Sequence, residues 1–81
     1  MTIDDRKYYL KSAIIDLTIA SNELRQNEQR LDLVAGRISL ICEANNTTTI
    51  DLIDKVRYDL VKGIDNLRDT ISELHVKLKN T

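Results

Sequence analysis

The stretch "ICEANNTTTIDLID", residues 41 to 54, interrupts two long amphipathic segments in a chain that has two glycines and no proline. Within it, Asn45 and Asn46 tolerate the left-handed backbone of a helix C-terminal cap. Thr48 and Asp51, three residues apart, have the spacing of a capping box that starts a helix. The stretch therefore predicts the end of one helix and the beginning of another.

These signals divide the chain into two predicted helices. The first covers about residues 3 to 43, the loop about residues 44 to 48, and the second helix about residues 49 to 79. Thr2 and Asp5 repeat the capping-box spacing at the chain start. A link of about five residues favours antiparallel neighbours, because it cannot return the chain along the length of a helix.

Both predicted helices have the apolar repeat of a coiled-coil seam. In the first helix, one row of large aliphatic residues comprises Ile3, Leu10, Leu17, Leu24, Leu31 and Ile38. A second row completes a three-four alternation, lapses at Asn27, and consists of Ala13, Ala20, Val34 and Ile41. In the second helix Arg57 occupies one core position, and the others hold Ile50, Ile53, Leu60, Ile64, Leu67, Ile71, Leu74 and Leu78.

The expected fold class is all-α, an antiparallel two-helix hairpin with coiled-coil-like packing. The 81 residues form one domain in this interpretation. With the loop centre near residues 46 and 47, the second helix ends level with about residue 13, so roughly 10 residues of the first helix project beyond it. We expect the hairpin to assemble into a four-helix bundle, either by dimerisation or by binding a partner.

Large apolar residues also lie off the predicted seam. In the second helix these are Leu52, Val61 and Val76. One hairpin covers one face of each helix, and leaving a leucine exposed forgoes about 1.5 to 3 kcal/mol of burial. The surplus predicts docking on another helical protein or on a second copy of the chain. The predicted interface consists of Tyr8, Tyr9, Leu10, Ile15, Ile19, Leu33 and Leu40.

Tyr8 and Tyr9 are informative because the chain has only three aromatic residues, all tyrosines. Tyrosine is enriched at interfaces, where the ring is buried and the hydroxyl finds a polar partner. The alternative is that one of the two packs over the end of the second helix while the other is exposed.

Four further residues have two interpretations each. Asn27 either fixes register and oligomeric state from a core position, or lies where the seam loosens. Arg57 either pairs with a partner's carboxylate or extends past the seam to solvent. Gly36 and Gly63 either permit a close helix approach or a kink beside a binding surface, or they reflect ordinary close packing or chance, at about 1 kcal/mol of helix propensity each.

No catalytic, cofactor or metal site is expected. His75 is the single histidine, Cys42 is the single cysteine, and neither has neighbours at the spacing of metal ligands or of an activated nucleophile. The net charge of -1 gives no basic field for nucleic acid. No apolar run approaches the roughly 20 residues of a membrane span. We expect a non-catalytic cytoplasmic protein without a nucleic-acid, membrane or small-molecule ligand.

Two long helices joined by a tight polar loop, in a chain of this length, resemble the small helical-hairpin proteins of type VII secretion. That group includes the Trp-X-Gly family and the accessory proteins that pair with LXG toxins. The loop here reads "ANNTTT" in place of Trp-X-Gly, and Tyr58 is followed four residues on by Lys62 in place of the acidic residue of the C-terminal signal. The resemblance implies a partner or targeting chaperone that pairs with another hairpin, and it is compatible with export without a signal peptide.

The sequence also allows two alternative functions. The order Ile64, Leu67, Ile71 and Leu74 is compatible with a self-associating coiled-coil regulator or inhibitor of phage or mobile-element origin. The stretch "IDNLRDTISEL" resembles the arginine-bearing first helix of the chorismate mutases, which implies a small all-helical enzyme. That stretch lies at the opposite end of this chain.

Overall fold

The computed structural model describes the backbone of residues 1–41 and 47–81 and the side chains of residues 1–41 and 49–81. In this part of the chain the protein is all-helical, with α1 spanning Ile3–Ile41 and α2 spanning Thr47–Lys79. The helices pack against each other with opposite chain directions, which confirms the predicted two-helix hairpin.

The structure starts α2 two residues earlier than the sequence predicts. The predicted end of α1 near residue 43 lies outside the described residues, as do the caps at Asn45 and Asn46. The side chains of Cys42 and Thr48 also lie outside them. The interpretations attached to these residues stay predictions.

The capping box at the start of α1 is confirmed. The backbone N of Thr2 donates to Asp5 Oδ2 at 3.2 Å, and the backbone N of Asp5 donates to Thr2 Oγ1 at 3.1 Å. The two bonds satisfy donors that a helix N-terminus otherwise leaves unpaired. The Asp5 carboxylate also lies where the helix dipole favours negative charge.

α2 presents its predicted seam to α1. Ile64 is buried in this seam, Arg57 is half-buried, and the remaining half-buried members are Ile50, Ile53, Leu60, Leu67, Ile71, Leu74 and Leu78. The strict three-four spacing keeps every member of the row on the side of α2 that faces its neighbour. The predicted seam of α2 is therefore confirmed.

α1 turns a slightly different face to α2 than the sequence predicts. The leucine row is half-buried from Leu10 to Ile38, and Ala13, Ala20 and Val34 of the predicted second row are half-buried too, whereas Ile41 is exposed. A further inward row, which the sequence did not predict, consists of Ile14, Ser21, Glu28 and Ala35. Asn27 is exposed, which excludes the interpretation that places it in the core and favours the one in which the predicted row lapses there. Residues three and four positions after a leucine flank it on its two sides, so the spacing is compatible with either row. The side that carries Ile14 faces α2.

The projecting end of α1 is shorter than predicted. Leu24 Cδ1 lies 3.8 Å from the place where a Cβ on Gly63 would stand, and Leu10 borders the same hollow as Lys77. At about 1.5 Å per residue, this register puts the end of α2 level with about residue 8. Leu10 is therefore half-buried within the paired region, and its predicted place in the projecting segment was wrong. The reason is that Gly63 lies level with Leu24, several residues nearer the start of α1 than the predicted register places it.

The hairpin exposes more surface than a compact protein of its length. Its accessible surface is 6389 Å², against about 5,000 Å² for a compact folded chain of this size. Its radius of gyration is 18.4 Å, against about 12 Å for a compact domain. Among the described side chains, the buried apolar ones are Ile14, Ala35 and Ile64, and each keeps 7 to 9% of its surface exposed. Two helices side by side form a seam without an enclosed core.

Ile64 is the buried side chain of α2 that faces this seam, so its truncation tests the hairpin. We expect Ile64→Ala to lower the free energy of unfolding by about 2 kcal/mol, near the low end for such truncations because the neighbouring side chains are only half-buried. Val61→Ala, at a side chain 45% exposed, is the control and should change it by less than about 0.5 kcal/mol. Urea unfolding followed by circular dichroism measures both. Equal effects would contradict the assigned seam.

Neither glycine is required by packing within the hairpin. A Cβ on Gly36 would meet nothing within 4 Å among the described atoms, and one on Gly63 would make ordinary contact with Leu24 at 3.8 Å. We expect Gly63→Ala to raise the free energy of unfolding by about 1 kcal/mol, because alanine is the better helix former. Chemical denaturation measures the change. A loss of stability would show that the helices approach more closely at this position.

Candidate protein interface

α1 carries a second periodic row on the face turned away from α2. Because the inward seam of α1 keeps the seven-residue repeat from Leu10 to Ile38, a parallel row with the same repeat stays on the far side throughout. We name this row the outer stripe, and it consists of Tyr8, Ser12, Ile15, Ile19, Asn22, Gln26, Gln29, Leu33, Gly36 and Leu40. Ser12 is half-buried and every other member is exposed.

Five of the predicted interface residues belong to the outer stripe. Tyr8, Ile15, Ile19, Leu33 and Leu40 are 51 to 86% exposed, so the structure leaves these side chains available for contact. Their role in binding stays a prediction. The sequence reasoning missed the uncharged polar members of the same row. They could have been found from their positions, because they continue the three-four spacing of the apolar members.

The remaining two predicted interface residues lie off the outer stripe. Tyr9 is 60% exposed beside it, whereas Leu10 faces α2. The rings of Tyr8 and Tyr9 meet edge to face, with centroids 5.6 Å apart and an interplanar angle of 73°. Tyr9 also borders the open, largely apolar hollow beside Lys77 at the end of α2. Both tyrosines nevertheless stay exposed.

Charge distinguishes the outward face of α1 from that of α2. The outer stripe contains no charged residue, although 31% of the chain is charged. The corresponding outward row of α2 contains Tyr58, Ser72 and Val76, but its other six members are charged: Asp51, Lys55, Lys62, Asp65, Asp69 and Lys79. Desolvating a charge without a partner is costly, so a charged row suits a surface that stays in water. The outward face of α1 is therefore the better candidate for docking.

The exposed apolar residues of α2 do not form such a row. Leu52, Val61 and Val76 are 62%, 45% and 58% exposed, but each belongs to a different seven-residue row. Tyr58 lies under the ammonium of Lys62, with 4.9 Å between Nζ and the ring centroid, so its face already contacts a cation. Single apolar residues among charges are ordinary on a protein surface.

A polar layer lies within the seam where both helices depart from apolar residues. Arg57 donates from Nε and Nη2 to Glu28 Oε1, at 3.0 and 2.9 Å. Its Nη2 also lies 3.3 Å from Asp32 Oδ1, and its Nη1 lies 3.4 Å from Asp54 Oδ1. The side chains of Arg57 and Glu28 are 28% and 21% exposed, whereas those of Asp32 and Asp54 are more than half exposed.

These contacts decide the interpretation of Arg57. The hydrogen bond to Glu28 and the charges of Asp32, Glu28 and Asp54 raise the pKa of Arg57 above its ordinary value, against a desolvation effect that lowers it. The carboxylates come from its own chain, so free extension into solvent does not describe Arg57, and its pairing with a partner's carboxylate stays a prediction. Sequence reasoning missed Glu28 because Asn27 was placed in the seam. The signal was that each helix has one interruption of its apolar repeat, near Glu28 in α1 and at Arg57 in α2. In the antiparallel hairpin these two interruptions lie side by side.

Neither a metal-binding group nor a membrane-spanning segment is found among the described residues. Across residues 1–41 and 47–81, no three His, Cys, Asp or Glu side chains are grouped so that they could hold a metal ion. His75 is exposed on α2. Over the same described part of the chain, neither helix is apolar enough along its length to cross a membrane.

Comparison of the chain with protein-family models, with curated proteins and with solved structures finds no match. The resemblance to type VII secretion hairpins therefore stays a prediction.

The polar layer makes a specific prediction for paired substitutions. We expect Glu28→Leu alone to lower the melting temperature, because Arg57 then remains in the seam with only the exposed carboxylates. Adding Arg57→Leu should recover the melting temperature or raise it above the original, because two apolar side chains then close the seam. Thermal unfolding followed by circular dichroism measures this, with Asp59→Asn as the control at an exposed carboxylate outside the polar layer. A double variant less stable than Glu28→Leu would contradict the expectation.

Proposed function

We propose that the protein is a non-catalytic interaction module that buries the outer stripe of α1 against another helical chain and so forms a four-helix assembly. The observation that carries the proposal is the contrast between the two outward faces. α1 presents an exposed row without charge, whereas the equivalent row of α2 is mainly charged.

The amount of exposed surface supports the same proposal. The hairpin exposes about 1,400 Å² more than a compact chain of its size would expose. A standard protein interface buries about 800 Å² on each partner. Docking along one face of α1 would therefore bring the surface of each hairpin closer to that of an ordinary folded protein.

The same face serves both biological settings inferred from the sequence. In the setting that resembles type VII secretion, the outer stripe binds another hairpin, and the chain acts as a partner or targeting chaperone. In the setting of a self-associating regulator, it binds a second copy. An enzyme of the chorismate mutase type has less support, because Arg68, the arginine of the stretch that resembles that family, is exposed on α2 and does not face the seam.

Charged substitutions in the outer stripe test the proposal. We expect Ile19→Asp and Leu33→Asp each to weaken association at least about tenfold, because binding would desolvate the new carboxylate. Helix content should change little, since both side chains are exposed in the hairpin. Sedimentation equilibrium measures association, and circular dichroism measures helix content.

Val76→Asp is the matched control. Val76 is 58% exposed, close to Ile19 at 51%, but it lies among charged residues on α2. We expect this variant to associate as the unchanged chain does. Equal weakening by all three substitutions, or loss of helix content by Ile19→Asp and Leu33→Asp without an effect on association, would contradict the proposal.

A further inference from the structure

We draw no further inference here: the strongest candidate, the open hollow of about 250 Å³ between the start of α1 and the end of α2 that is lined by Met1, Arg6, Tyr9, Leu10 and Lys77, carries nothing because nothing in the structure shows what occupies it.

Discussion

Two helices lying side by side can each cover only one face of the other, and the rest of this structure follows from that limit. The inward rows of α1 and α2 are mostly half-buried, and even Ile14 and Ile64 keep a little of their surface in contact with solvent. No third layer covers the seam within the described residues. The protein is consequently long and thin, with extents of 62 × 16 × 14 Å. Hydrophobic stabilisation scales with the area removed from water, so such a hairpin gains less than a globular domain of equal length.

The polar layer of Arg57 and Glu28 determines how the two helices align along their seam. A charged pair in an apolar seam is weak evidence for stability, because desolvation offsets much of the attraction. It does select one alignment, since sliding the helices by one repeat would put Arg57 opposite Ser21 or Ala35 and leave Glu28 without its donor. The selected alignment sets how far α1 projects beyond α2, and it determines that Leu10 belongs to the seam. One ion pair thereby fixes which residues of α1 remain for contact with another molecule.

The sequence predicted the hairpin and the seam of α2 because strict spacing, helix caps and a short link all indicate the same arrangement. It did not predict that α1 also turns the row of Ile14, Ser21, Glu28 and Ala35 towards α2. Ala13 and Ile14 both flank Leu10 and Leu17, and periodicity alone cannot rank them. The burial of Ile14 and the bond from Arg57 to Glu28 identify the additional inward row, but they can be recognised only once the two helices are aligned. The outer stripe was predicted in its large apolar members but not in Asn22, Gln26 and Gln29, because a search for apolar residues passes over amides.

Those amides bear on how α1 can present an uncharged outward row beside its seam with α2. A continuous second row of leucine and isoleucine would compete with the inward seam for α2, and either face could then form the hairpin. The outer stripe instead concentrates its aliphatic residues towards its two ends and keeps uncharged polar groups between them. The leucine row, which has no polar lapse from Leu10 to Leu31, therefore takes α2. The outer stripe is left as the weaker face, sufficiently polar to stay in water in a single hairpin and without the charges that would oppose its burial.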